Sequence, residues 1–180
     1  MNTGTTVAAA GTSTQRLGPQ HREQLLQHLL SLDAEDRGRR FMLSASDGYV
    51  QRYATGIDFD RGIVMGAFVG DQLGGVAHAA LEGDGADAHF EVGLSVARSD
   101  RRRGVGRKPL RECVARGLQD APRRVVVRYQ PGNAAMGATA RSLGSAPQLD
   151  AGEMRAEFGP GAPQRPPTVD APPDPHATGR

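Results

Sequence analysis

Arg101, Arg102 and Arg103 stand directly before Gly104, Val105 and Gly106, so three guanidinium groups meet two residues that have no Cβ. Glycines let a backbone approach an anion closely. A helix starting just beyond them would add unpaired N–H groups and a positive dipole end, and phosphate is the guest such a place suits. The spacing is not that of a P-loop, which needs four residues and then Gly-Lys-Ser/Thr. Nor is it a dinucleotide fingerprint, whose third glycine would fall where Pro109 stands.

Just upstream, "AHFEVGLSVA" alternates Phe90, Val92, Leu94 and Val96 with His89, Glu91, Gly93 and Ser95, the period of a strand with two unlike faces. Glu91 is the candidate general base. Gly93 and Ser95 are expected to leave room on its face, and partial desolvation would raise a carboxylate's pKa toward neutrality. The competing description is a surface carboxylate on a half-exposed strand. His89 is a second candidate base, and His78 could neighbour it on the next strand, but no ligand set at metal spacing accompanies them, so no metal is expected. "GLSVA" lacks the final glycine of a nucleophile elbow, which argues against Ser95 as a hydrolase nucleophile. Cys113 is the single cysteine and reads as a small buried hydrophobe. Asn133 reads as a helix N-cap, and Tyr129 as a buried strand aromatic.

The elements that must hold these residues can be read from periodicity. "GPQHREQLLQHLL" carries Leu25, Leu26, Leu29 and Leu30 at helical spacing behind Pro19, and Tyr49, Val50, Tyr53 and Ile57 form a second helix capped by Ser46 or Asp47. "RGIVMGAFVGDQLGGVAHAAL" is a hairpin turning at "GDQ", and the Glu91 strand follows it. A helix from about Val105 to Leu118, a buried strand ending at Tyr129, a helix beginning at Asn133 and a closing strand "GEMRAEF" complete the order. This is an α/β (α+β) arrangement around one sheet. The segments 1–14 and 159–180 lack apolar periodicity and are expected to be disordered, leaving 15–158 as one domain.

The pattern [QR]-x-x-G-x-[GA], filled by Arg101 to Gly106 after a strand and before a helix, resembles motif A of the GNAT superfamily of acyl-CoA-dependent N-acyltransferases. Asn133 and Met136 resemble the N-x-x-M start of the family's later helix. The resemblance implies a mixed, mostly antiparallel sheet flanked by helices and an acetyl-CoA donor. The cofactor would be held by Leu94, Val96, Arg101, Arg102, Arg103, Gly104, Val105, Gly106, Arg107 and Asn133, with the Val96 N–H polarising the thioester carbonyl. It implies transfer of an acetyl group to a primary amine of a small molecule or protein, with residues 33–49 among the acceptor walls. Three residues depart from the pattern. Pro109 enters the phosphate-binding helix, where an interior proline costs roughly 3 kcal/mol. Ala140 stands where many members carry a tyrosine that protonates the thiolate, a role for which Tyr129 would be the substitute, and Ser145 where an aromatic often closes the motif. An acyl-CoA-binding domain without turnover is therefore the alternative.

Composition narrows the partners. There are 22 basic and 20 acidic residues, a net charge of +2, so bulk charge demands no polyanion. Aromatics are 4% of the chain and none is interleaved with the loop arginines to stack bases, which argues against nucleic acid. Arg39, Arg40 and Arg52 would favour an acidic acceptor if they faced it, although arginines on solvated helix faces are commoner. With no apolar run of spanning length the chain is expected in the cytoplasm, without a membrane partner and open to homodimerisation.

Overall fold

In the computed structural model, which describes residues 11–163, a seven-stranded sheet separates two layers of helices. The chain runs β1 (Thr12–Arg16), a 3-10 turn at Pro19–His21, α1 (Arg22–Leu30), α2 (Ala34–Phe41), α3 (Asp47–Gly56), β2 (Ile63–Val69), β3 (Gln72–Glu82) and β4 (His89–Val96). It continues through α4 (Arg107–Gly117), β5 (Val125–Tyr129), α5 (Ala134–Ser142), β6 (Gln148–Asp150) and β7 (Glu153–Phe158). The strand order is β1-β2-β3-β4-β5-β7-β6, antiparallel everywhere except between β4 and β5.

Alternation along the strands builds two cores. Ile63, Met65, Phe90, Val92, Val125 and Val127 face α4 and α5 and pack against Leu110, Cys113, Val114, Met136 and Ala140. Val64, Phe68 and Val76 face the other way, onto Leu25 and Leu29 of α1 and Val50 and Ala54 of α3. The leucine stripe of α1 and the Val50 stripe of α3 are thus core faces, as their spacing predicts. Ser46 caps α3 by accepting from the Tyr49 N–H, and Asn133 caps α5 by accepting from Met136 N–H at 3.1 Å.

Several boundaries differ from the sequence reading. β1 occupies Thr12–Thr14 of the segment expected to be disordered, because Thr12 through Arg16 register antiparallel with β2 and cover that edge. Beyond β7, Gly159–Pro163 is also ordered chain, with the Ala146 N–H donating to Pro163 O at 3.0 Å. The expected disorder of 1–10 and 164–180 lies outside the described residues. α2 was not visible as a helix. Its sequence "AEDRGRRF" has no apolar stripe, and it forms on charge and capping: Asp33 accepts from the Asp36 N–H at 2.8 Å, with Glu35 and Asp36 in the first turn and Arg39 and Arg40 in the last.

Candidate functional site

β4 and β5 are held together only at Phe90 with Val125 and Glu91 with Val126, although both strands run on past that point. They splay apart. Residues of a strand alternate in the side toward which they turn their hydrogen-bonding groups. The Phe90 N–H donates to Arg124 O, toward β5, and the Ala97 N–H donates to Gly74 O, toward β3. Leu94 and Val96 therefore present their N–H and C=O groups to the gap. A cleft of about 490 Å³ lies there, lined by Val92 to Val96, by Asp100, Arg101, Arg102 and Gly104 to Arg107 of the loop, and by Tyr129, Asn133 and Met136 of the opposite wall.

The loop lines one side of the cleft. Gly104 takes the left-handed backbone at φ +74°, and Gly106 packs so tightly on β4 that a Cβ there would lie 2.7 Å from Val96 Cγ2. The backbone N–H groups of Gly104, Val105, Gly106 and Lys108 have no backbone acceptor among the described residues, and those free donors are what a phosphate requires. Of the residues assigned to the cofactor, Leu94, Val96, Arg101, Arg102, Gly104, Val105, Gly106, Arg107 and Asn133 line this cleft. Arg103 does not: it turns back to Asp100, 3.0 Å away. Arg101 lines the cleft while paired with Asp36 of α2.

The helix expected from Val105 starts at Arg107, with Gly106 as its N-cap. Pro109 is then the third residue of the first turn, where no helical N–H bond is made, and its side chain is fully buried. The impairment expected from an interior proline does not apply.

Glu91 lies on the far side of β4, in a second cleft of about 450 Å³ with Arg40, Phe41, Tyr49, Tyr53 and Glu153. Its surroundings differ from those expected. The space over Gly93 is filled by the Arg40 guanidinium, and Ser95 is buried under α1, its hydroxyl 2.9 Å from His28 Nε2. The Glu91 side chain is 41% exposed and pairs with Arg128 Nε at 3.4 Å, so it is an ion-paired, wetted carboxylate rather than a desolvated one. His78 and His89 are not neighbours: His78 registers with Gly93, and His89 with Glu82. Among the described residues no group of three His, Cys, Asp or Glu is placed to hold a metal ion.

Tyr129, His28 and His78 are buried groups without a firm role in the sequence reading. Tyr129 is 3% exposed, its hydroxyl has no hydrogen-bond partner among the described residues, it lines the first cleft, and burial pushes its phenol pKa up. His28 and His78 are pushed down to about 4, first by burial and further by the charge of Arg40. Cys113 is pushed up to about 12 by burial and its thiol donates to Ala77 O, which makes it an inert core group. Ala140 and Ser145 are both buried and neither lines the cleft, and Ser145 Oγ has no partner among the described residues, so neither supplies an acid there.

No family model matches the sequence, and no curated protein matches it. Solved structures do. The GNAT domain of S. lividans PAT is 22% identical over 82% of this chain and 90% of that one, with a TM-score of 0.65. Ribosomal-protein-alanine N-acetyltransferase from Brucella melitensis is 16% identical over 82% and 99%, with a TM-score of 0.63. The yncA protein of Salmonella typhimurium, solved with its cofactor acetyl-CoA, is 13% identical over 82% and 93%, with a TM-score of 0.61. Among the described residues no helix is long and apolar enough to cross a membrane. With its splayed β4 and β5 and its glycine loop at the start of α4, the chain has the fold of the GNAT acetyltransferases.

Proposed function

We propose that the chain is an N-acetyltransferase that moves an acetyl group from acetyl-CoA to a primary amine by direct attack. The observation that carries this is the open β4 edge leading to a loop of free backbone donors. Leu94 and Val96 would pair with the amides of the pantetheine arm. Gly104 to Gly106, with Arg101, Arg102 and Arg107, would hold the pyrophosphate, and Asn133 would border the arm from α5. Acetyl-CoA supplies the activated thioester.

The chain's own groups divide the remaining work. Glu91 takes a proton from the acceptor ammonium, directly or through water, so that the amine nitrogen can attack the carbonyl carbon. The Val96 N–H stabilises the oxygen as it gains negative charge. As the carbon–sulfur bond breaks, Tyr129 is the candidate to protonate the departing thiolate, since it lines the donor cleft and its raised pKa keeps it protonated at neutral pH. The nitrogen gives its second proton to water, Glu91 releases its proton to solvent, Tyr129 regains one from there, and the amide forms with net release of one proton. A domain that binds acyl-CoA without turnover is favoured by Ala140 and Ser145, where the resemblance would place a tyrosine and an aromatic.

Acetyl-CoA and CoA at about a hundred times their Kd should stabilise the protein by roughly 2.7 kcal/mol and raise its Tm by several degrees. Arg107→Glu, at an exposed cleft residue, should cut that shift steeply by setting a negative charge against the phosphates. An unshifted wild-type Tm with every acyl-CoA tried would overturn the reading. Release of free thiol with a panel of amines separates the enzyme from the silent binder.

A further inference from the structure

Four residues line both clefts: Val92, Gly93, Arg40 and Arg128. If the donor lies in one cleft and the acceptor in the other, the reacting centres meet at this junction, where two guanidinium groups stand. They are not equivalent. Arg128 is neutralised by Glu91 at 3.4 Å and Asp150 at 3.6 Å. Arg40 has no ion pair among the described residues.

Arg40 is nevertheless held firmly. Its guanidinium carbon sits 4.9 Å from the Phe41 ring centroid and 5.2 Å from that of Tyr53, and Nη2 donates to the Tyr53 hydroxyl, which lies 2.6 Å from His78 Nδ1. Nη1 rests so close to Gly93 that a Cβ there would be 2.1 Å away, so β4 carries a glycine where the guanidinium lies on it. Its Nε is buried and has no acceptor among the described residues. Of the three arginines that could favour an acidic acceptor, Arg39 is taken up by Glu35 and Asp36, and Arg52 lines a different pocket. A cation fixed between aromatic faces with unused donors is prepared for a planar anion that accepts two parallel bonds. The phosphate loop packs on β4 at Val96, three residues along the strand, or about 10 Å away at strand rise. The CoA phosphates are therefore served elsewhere.

We infer that Arg40 recognises a substrate carboxylate at the junction of the two clefts. One of the two substrates then carries a carboxylate a few bonds from its reacting centre. It is either an acyl-CoA with a second, terminal carboxylate or an acceptor whose amine and carboxylate are close together, as in an α-amino acid. This rests on the acyltransferase reading above.

The test uses the full chain in two arms. Calorimetric titration compares succinyl-CoA with butyryl-CoA, which has the same chain length without the carboxylate, and with CoA. α-Amino acids and their decarboxylated amines are compared by thiol release from acetyl-CoA and by binding to the CoA-saturated protein. One arm should show a preference of roughly tenfold to hundredfold for the carboxylate, the worth of charge-assisted hydrogen bonds. Arg40→Met should erase that preference and Arg40→Lys should keep part of it, with circular dichroism and a cooperative melt showing that both variants fold. No preference in either arm overturns the inference, as does a loss in Arg40→Met that is equal for CoA and for every thioester. Failure of wild type to bind any CoA species overturns the acyltransferase reading as well, so the two failures are distinguishable.

Discussion

Tyr129 and Glu91 make opposite demands on their surroundings, and single substitutions can separate them. The Tyr129 hydroxyl is buried without a partner among the described residues, a state that costs stability unless function repays it. Tyr129→Phe should leave stability unchanged or raise it by up to about 1 kcal/mol while lowering kcat by roughly 10²-fold. Glu91→Gln should lower kcat comparably and leave acetyl-CoA affinity nearly constant. Urea melts and steady-state kinetics on both variants decide the matter: a Tyr129→Phe enzyme that turns over like wild type removes Tyr129 from the acid role. The sequence named both residues but could not grade them. Glu91 lay on a recognisable strand, whereas the partnerless state of Tyr129 depends on what α5 brings beside it: Gly137, where an added Cβ would come within 3.3 Å of the hydroxyl, offers it no polar side chain.

At the level of elements, the start of α4 decides what Pro109 does. Because Gly106 is the N-cap, no helical hydrogen bond is waiting to be restored, and the buried ring both packs and restricts the unfolded chain. Pro109→Ala should destabilise by about 1–2 kcal/mol, from lost packing and greater unfolded-state entropy. Equilibrium unfolding checks this, and a gain in stability would mean that the helix starts earlier. Legibility in the sequence followed apolar pattern. Strands β2 to β5 and helices α1, α3 and α5 announce themselves by period, so the sheet and the loop before α4 could be placed. α2 could not, since its stability comes from the Asp33 cap and its charge order rather than from a stripe. With α2 unread, the position of Arg40 over Gly93 was unread too. β1 was missed because Thr12–Arg16 gains its structure by pairing across the chain with β2.

For the whole molecule, two buried neutral histidines link stability to acidity. His28 and His78 titrate near 4 when folded and near 6.5 when unfolded, so below 6.5 the unfolded state binds more protons. Their contribution is fully present above pH 6.5 and is lost as pH falls toward 4, on the order of 3 kcal/mol for each. Urea midpoints measured from pH 7.5 to pH 4 should decline through that window, and His78→Gln should flatten the slope. A midpoint that stays level from pH 6.5 to pH 4.5 would contradict the burial of both rings. The two histidines lie on the side of the sheet away from α4, so acid should loosen the α1 and α3 layer before the layer that carries the glycine loop.

The parting of β4 from β5 also sets a pattern of exchange with solvent. Up to Glu91 the two strands protect each other's amides, and beyond it the Leu94 and Val96 N–H groups point into the gap. In deuterium oxide, Phe90 should keep its proton until the sheet itself opens, whereas Leu94 and Val96 should trade theirs orders of magnitude faster within the same strand. A ligand that lays its own amides along that edge would slow those two positions while Phe90 stayed as it was. Residue-resolved exchange with and without CoA would therefore read the slot one amide at a time, and equal protection along β4 in the free protein would show that the gap is closed in solution.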